Sequence, residues 1–398
     1  MKNKFVWSDN WCIEDETSWF VDGEHNILLK LDLKTNECNF VAEVPCNGKN
    51  GFRLNPRCKK IENDIVCMPD MGDSIWVYQL ESAEFKRIAI NNPNDKRLSI
   101  GNFWIYNKKI VAVSMGLNQI IEIDIQTKKI DNYYNLNGQI STSIKIDDSI
   151  YCVSPISNCI YQFNLVTKKC LNHVLPSKIP GIYTISYDGE NFWLSGYCKE
   201  IYIWNREKNI LKILDNFPEQ FGIYNYKGNK SNIVDCALKH YDVPIFLSSI
   251  PIGQFIWFIP FQTNKIIYID RDTYNINSFE IVEEDENEYS IASNRLKHKY
   301  LVEYILEDRY IGLFSLKNNC IFEIDTVEKR VNRKNYYFSE DCIIKTTQLM
   351  MSQRQYFVEG IAVEREAYMK ALESNYIKNI MTMETNIGRT IHQEMVLR

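Results

Sequence analysis

A fourteen-residue phrase occurs seven times along this chain, and that recurrence restricts its fold more than any other feature. One copy, at 111–124, reads VAVSMGLNQIIEID, and another, at 257–270, reads WFIPFQTNKIIYID. The others begin at Trp19, Val66, Tyr151, Phe192 and Gly312. Each has an apolar run, a polar break, a second alternating run and a closing Asp, Asn or Gln. The break centres on Asn26, Asp73, Asn118, Asn158, Lys199 and Asn264, with Asn318 in the last copy. Asn and Asp accept left-handed backbone angles and bond their own main chain, so the breaks predict hairpin turns. Stretches such as Ile121-Glu122-Ile123-Asp124 then alternate with the period of a strand that buries one face.

The fourteenth place holds Asp32, Gln79, Asp124, Asn164, Asn205, Asp270 and Asp325. Three residues on stand Thr35, Ser82, Thr127, Thr167 and Thr273, with Lys208 and Glu328 as exceptions. A side-chain oxygen of Asp or Asn takes a backbone N–H two residues on, so this spacing predicts a second tight turn. Further strands follow at 129–134 and 170–175, and others precede the copies at 140–147 and 181–188. Four antiparallel strands, repeated seven times every 40 to 65 residues, predict an all-β chain folded as a seven-bladed β-propeller. A lone four-stranded sheet cannot cover both its faces, whereas neighbours in a closed ring cover every one.

On these residues the chain resembles β-propeller repeat proteins over 5–338. The Asp-x-x-Thr turn and Ile-Tyr-Ile-Trp-Asn at 201–205 are similar to the second half of WD-type or quinoprotein-like blades. The Gly-His pair of WD repeats and the repeated tryptophan motif of quinoproteins are absent, so the resemblance implies an architecture and no functional family.

A domain at 1–338 and a tail at 339–398 divide the chain. The first blade takes its inner strand from about 5–12. The first five copies start 47, 45, 40 and 41 residues apart, but the next interval is 65, with a polar and aromatic insertion at 217–242. Such departures from a regular repeat tend to carry function. The sixth interval holds an acidic run at 283–286, followed by Arg295, Lys297, His298 and Lys299. Beyond Phe338, Ser339-Glu340-Asp341 caps a helix. Phe357, Ile361, Tyr368, Leu372, Tyr376 and Ile380 recur at helical spacing, predicting an apolar stripe on a C-terminal α-helical tail.

A net charge of −5 and the lack of a basic stripe argue against a nucleic-acid partner. The charged start does not fit a signal peptide, and the longest apolar run, 250–261, is broken by Pro251, Gly253 and Gln254. No membrane partner is expected, and the location expected is cytoplasmic. The twelve cysteines include no Cys-x-x-Cys pair and recur at equivalent strand places, Cys67 with Cys152 and Cys159 with Cys320. They read as small core residues, and neither a metal nor a cofactor is implied.

His25 beside Glu24, His240, and His298 would meet at one mouth if breaks and blade linkers share a face. That cluster would suit acid–base chemistry on a peptide or carbohydrate, as in a lyase or hydrolase. No phosphate-cradling loop, Gly-x-Ser-x-Gly turn or His-Glu-x-x-His helix accompanies it. The favoured expectation is a binding scaffold whose loop face takes a protein or peptide. Tyr197, Phe261, Gln262, Arg53, Arg97, Tyr241, His240 and His25 are its candidate contacts, since aromatics and Arg anchor partners. The tail supplies a second contact or holds a homo-oligomer together.

Overall fold

The structure, a computed structural model, describes residues 11–23, 25–46, 53–92, 97–179, 181–218, 221, 233–235, 240–241, 243–281, 299–315, 320–352, 356–358 and 361–363. Seven antiparallel sheets follow one another, each built from four consecutive strands. In blade 3, for example, Ile100–Tyr106, Lys109–Ser114, Gln119–Asp124 and Lys129–Asn135 run from the axis outward. The two middle strands are apolar on both faces, as in SIYCV and FIWFIP, because a neighbouring blade covers each side. Outer strands such as Glu84–Ala89 are mostly exposed, which their charged residues allow.

Ring closure is visible in the core. Seven apolar clusters separate the seven blades, where an open row would have only six. The closing cluster joins Leu301, Tyr304, Phe314 and Ile321 of blade 7 to Trp11, Phe20, Ile27 and Leu29 of blade 1. Trp11 stacks on Phe20 at 4.9 Å between ring centroids and meets Tyr304 at 5.9 Å. After blade 7 the chain returns to blade 1, where Tyr337–Phe338 pairs in parallel with the outermost strand, Glu37–Glu43. The helix Glu340–Ser352 follows, capped by the Ser339 hydroxyl on the Cys342 N–H at 3.2 Å. It packs on that same strand and buries Cys342 in the closing cluster.

The two turns of the repeat hold to their expected chemistry. Asp32, Asp124, Asn164, Asn205, Asp270 and Asp325 each accept a backbone N–H three residues on, at 2.6 to 3.1 Å. The residue after that is left-handed in all seven blades: Asn36, Ala83, Lys128, Lys168, Asn209, Tyr274 and Lys329. From these turns, cations reach back to the preceding blade. Lys128 bonds Asp64 at 2.6 Å, Lys168 bonds Glu122, Arg206 bonds the Tyr151 hydroxyl, and Arg271 donates to the Asp188 carbonyl at 3.2 Å.

The innermost described strand of blade 1 is Cys12–Glu14; residues 1–10, and with them most of the stretch expected at 5–12, lie outside the described set. The insertion adds a two-stranded ribbon, Ile233–Asp235 with His240–Tyr241. Its start folds inward, placing Phe217 and Phe221 against Phe246 of blade 6 at 6.0 and 5.6 Å. In the tail, Phe357 and Ile361 do not continue a helix: they stand in the strands Tyr356–Val358 and Ile361–Val363, where Val358 opposes Ile361. Tyr368, Leu372, Tyr376 and Ile380 lie outside the described residues.

Candidate functional site at the loop face

Break loops and blade linkers share one face, and the residue at the centre of each break explains how. The carbonyl of Asn26 accepts from Val44 N–H at 2.7 Å, Asn118 from Leu136 at 2.8 Å, Asn158 from Leu175 at 3.1 Å and Asn264 from Ile281 at 2.9 Å. Side chains bind the same linkers. Asn158 Oδ1 accepts from Ile179 N–H at 2.8 Å while its Nδ2 donates to the Leu175 carbonyl at 3.2 Å. Asn26 takes Leu54 N–H at 3.0 Å, and Asn118 takes Ile140 N–H at 3.3 Å. Only Asn26 and Asn118 are left-handed, so the shared role of these residues is to staple each linker to its blade.

A cavity of about 460 Å³ opens on this face, at the axis. Its wall is the first half of the inner strands, nearest the linkers. Blade 2 contributes Arg57 and Lys59, with Arg53 of the linker above them. Blade 3 adds Asn102 and Phe103, blade 5 adds Tyr183, and blades 6 and 7 add Leu247, Leu301 and Val302. No Asp or Glu lines it among the described residues. The cations are tied to the next inner strand: Arg57 donates to the Ile100 carbonyl at 2.9 Å, and Lys59 to that of Phe103 at 2.6 Å. Burial pulls the Lys59 ammonium below its ordinary pKa, although Cys12 nearby acts in the opposite sense.

Arg53 and Arg97 come together, but on a carboxylate of the protein itself. Arg53 Nε donates to Asp70 Oδ2 at 3.0 Å, and Arg97 grips both oxygens, at 2.8 and 2.6 Å. Asp70 is fully buried. Burial alone would raise its pKa, but the Arg53 charge and the Arg97 hydrogen bond hold the carboxyl well below the usual range. The trio locks two successive linkers to the break of blade 2. Arg53 also reaches the cavity, while Arg97 stands at the rim, half exposed.

The other candidates fare differently. Tyr197 and Phe261 meet through Tyr183, whose ring lies edge-on to both, at 6.2 and 5.9 Å. Burial, with Tyr183 adding to it, pushes the Tyr197 hydroxyl up to about 12. Phe261 and Gln262 are buried beneath a linker, with Phe261 N–H on the Ile245 carbonyl and Lys299 N–H on its own, so neither serves as a surface anchor. His25 is buried too, its Nδ1 lying 2.6 Å from Asp22 Oδ2, although the sequence placed it among the contacts of the loop face. His240 and Tyr241 stand on the inserted ribbon; their side chains, Glu24, His298 and the acidic run lie outside the described residues. Among the described residues no group of three His, Cys, Asp or Glu is arranged to hold a metal. Reading the break loops found the rim but missed Arg57, Lys59 and Tyr183. The signal was there in Arg57-Cys58-Lys59, two cations one strand period apart around a core residue.

No family model matches this chain, and no curated protein matches it. Solved structures do. The computationally designed Ika8 protein superposes with a TM-score of 0.52 at 8% identity, over 83% of this chain and 87% of that one. BamB from Moraxella catarrhalis, itself a propeller, gives 0.51 at 11% identity, over 79% and 83%. Similarity at such identity shows the fold alone. No helix among the described residues is long and apolar enough to cross a membrane.

Proposed function

We propose that this chain is a binding scaffold that takes a protein or peptide partner on its loop face. The observation that carries the reading is that break loops and linkers, stapled by Asn26, Asn118, Asn158 and Asn264, form a fixed rim around a cavity mouth. Rigid rims lose little entropy on binding, which favours recognition. The rim also exposes Met71 and Ile156, at 47% and 75%, and half-buries Tyr197. Apolar groups set among polar neighbours are the usual contents of an interface core.

The test compares partner capture from the native host by the full chain and by two altered chains, quantified by mass spectrometry. Ile156→Asp with Tyr197→Ser alters the loop face, whereas Val166→Asp alters an exposed turn on the opposite face. The expected result is loss of specific partners with the first alone. Equal capture by all three chains refutes the reading.

A further inference from the structure

Two cysteines meet where the returning tail covers blade 1. Cys38 stands on the strand Glu37–Glu43, opposite Leu31 on one side and Phe338 of the tail on the other. Tyr337 N–H donates to the Asn36 carbonyl and Ser339 N–H to that of Cys38, both at 3.0 Å, so the tail is fixed at this residue. The helix starts directly afterwards, and its first turn brings Cys342 back over the same strand. Both residues are fully buried in the closing cluster. Both are free thiols, and the two lie within hydrogen-bonding reach of each other. The equivalent place in blade 4 shows what the tail adds. Cys170 lies opposite Phe163 as Cys38 lies opposite Leu31, but that sheet has no fifth strand among the described residues, and Cys170 stays half-buried.

They meet at the junction on which the ring depends. Successive blades are joined by the chain as it passes from one to the next, whereas blade 7 is held to blade 1 by the closing cluster and by this tail. Burial, with the neighbouring Cys342 thiol adding to it, pushes the Cys38 thiol well above its ordinary pKa, so little thiolate forms while the tail is seated. A small oxidant therefore gains access when the tail lifts, a local opening that costs less than global unfolding. We propose that Cys38 and Cys342 form a redox clasp, in which oxidation by a low-molecular-weight disulfide bolts the helix to blade 1 and fixes the ring shut. In the lifted state the Cys342 thiolate attacks one sulfur of the small disulfide and expels its other half as a thiolate. As the tail re-seats, the Cys38 thiolate attacks the Cys342 sulfur and expels the second half. Proximity in the re-seated tail offsets the small thiolate fraction of Cys38. Two protein thiols are thus oxidised to one disulfide, and one small disulfide is reduced to two thiols. Each expelled thiolate takes up a proton released by a cysteine. The clasp acts on closure of the ring, whatever the loop face binds.

Incubation of the folded full chain with oxidised glutathione tests it, followed by alkylation of the remaining thiols and peptide mapping without reduction. The expected product is lighter by two hydrogens and carries Cys38 joined to Cys342 as its dominant link. The oxidised chain should melt about 2–5 °C above the reduced one, the gain of a typical disulfide in a chain of this size, and dithiothreitol should erase the difference. Cys342→Ala should form no such link and gain nothing in Tm, while Cys170→Ser should behave as the unaltered chain. Ser339→Ala removes the cap from the Cys342 N–H and makes the tail lift more often, so it should speed linkage about fivefold. The map of the unaltered chain decides the matter even where a variant does not fold. Links confined to other pairs, such as Cys58 with Cys67 across their strands, overturn the proposal. So do glutathione adducts on Cys342 that never resolve onto Cys38, a Cys38–Cys342 link without a rise in Tm, or a linkage rate that Ser339→Ala leaves unchanged.

Discussion

Asp70→Asn is expected to lower stability by about 3–5 kcal/mol, the cost of removing one partner from a buried ion pair. The carboxylate is fully buried and Arg53 nearly so, and the change takes the Asp70 charge from Arg53 and Arg97 while the shape of the side chain is kept. Unfolding entropy is about 2.1 cal/mol/K per residue near the midpoint. For 398 residues melting as one unit, each kcal/mol then moves Tm by about 1.2 °C, so the variant should melt about 4–6 °C below wild type. The pH dependence gives a second reading. The folded pKa of Asp70 is depressed, so its contribution is complete above the unfolded value and is lost as pH falls through that value toward the folded one. The gap between the two proteins should therefore be full at pH 7 and smaller by about 1 kcal/mol at pH 3, with the unfolded carboxyl near 3.9. Differential scanning calorimetry at both pH values measures it. A gap under about 1 °C at pH 7, or one that does not narrow on acidification, refutes the assignment of Asp70 as the ionised tie between linkers.

Other changes probe separate parts of the account. Asn158→Ala removes two bonds to the linker and strands the buried Ile179 N–H, so it should cost about 2 kcal/mol in chemical denaturation. Combined with Asn118→Ala in the neighbouring blade, the losses should add to within about 0.5 kcal/mol. Ala83 is exposed and left-handed at φ 56°, so Ala83→Gly should stabilise blade 2 by about 0.5–1 kcal/mol, read as a higher Tm. If residues beyond Ser352 hold copies of the chain together, full-length protein should sediment as an oligomer and a chain ending at Ser352 as a monomer; identical sedimentation removes that role. Truncation at Phe338 should instead destabilise the ring, because Cys342 belongs to the cluster that closes it.

What could be read in the sequence was local and repeated. Asp124 and Asp270 close their turns through neighbours three residues away, and that chemistry is written in the spacing itself. The left-handed residue that follows was not legible, because Ala83, Lys128 and Tyr274 have no preference for that conformation; the paired strands on either side impose it. Arg53 and Arg97 were recognisable as loop cations, but Asp70, which claims both, lies in a different blade segment. Cavity residues such as Lys59 and Tyr183 belong to the variable linker strands and not to the recurring phrase, so the pattern that revealed the ring passed over its inner wall. The tail misled for a related reason: Phe357 and Ile361 satisfy helical spacing, yet pairing between 356–358 and 361–363 takes precedence there.

Closure of the ring is the claim from which the loop face, its rim and its cavity all follow. A photo-reactive benzoylphenylalanine in place of Tyr304 tests it directly, since that ring lies 5.9 Å from Trp11 although almost the whole propeller separates them in sequence. Irradiation at dilution, followed by peptide mapping, should link the segment around residue 304 to residues 11–20 within one chain. Crosslinks confined to blade 7 and its immediate predecessor, with none to residues 11–20, would contradict a closed seven-bladed ring.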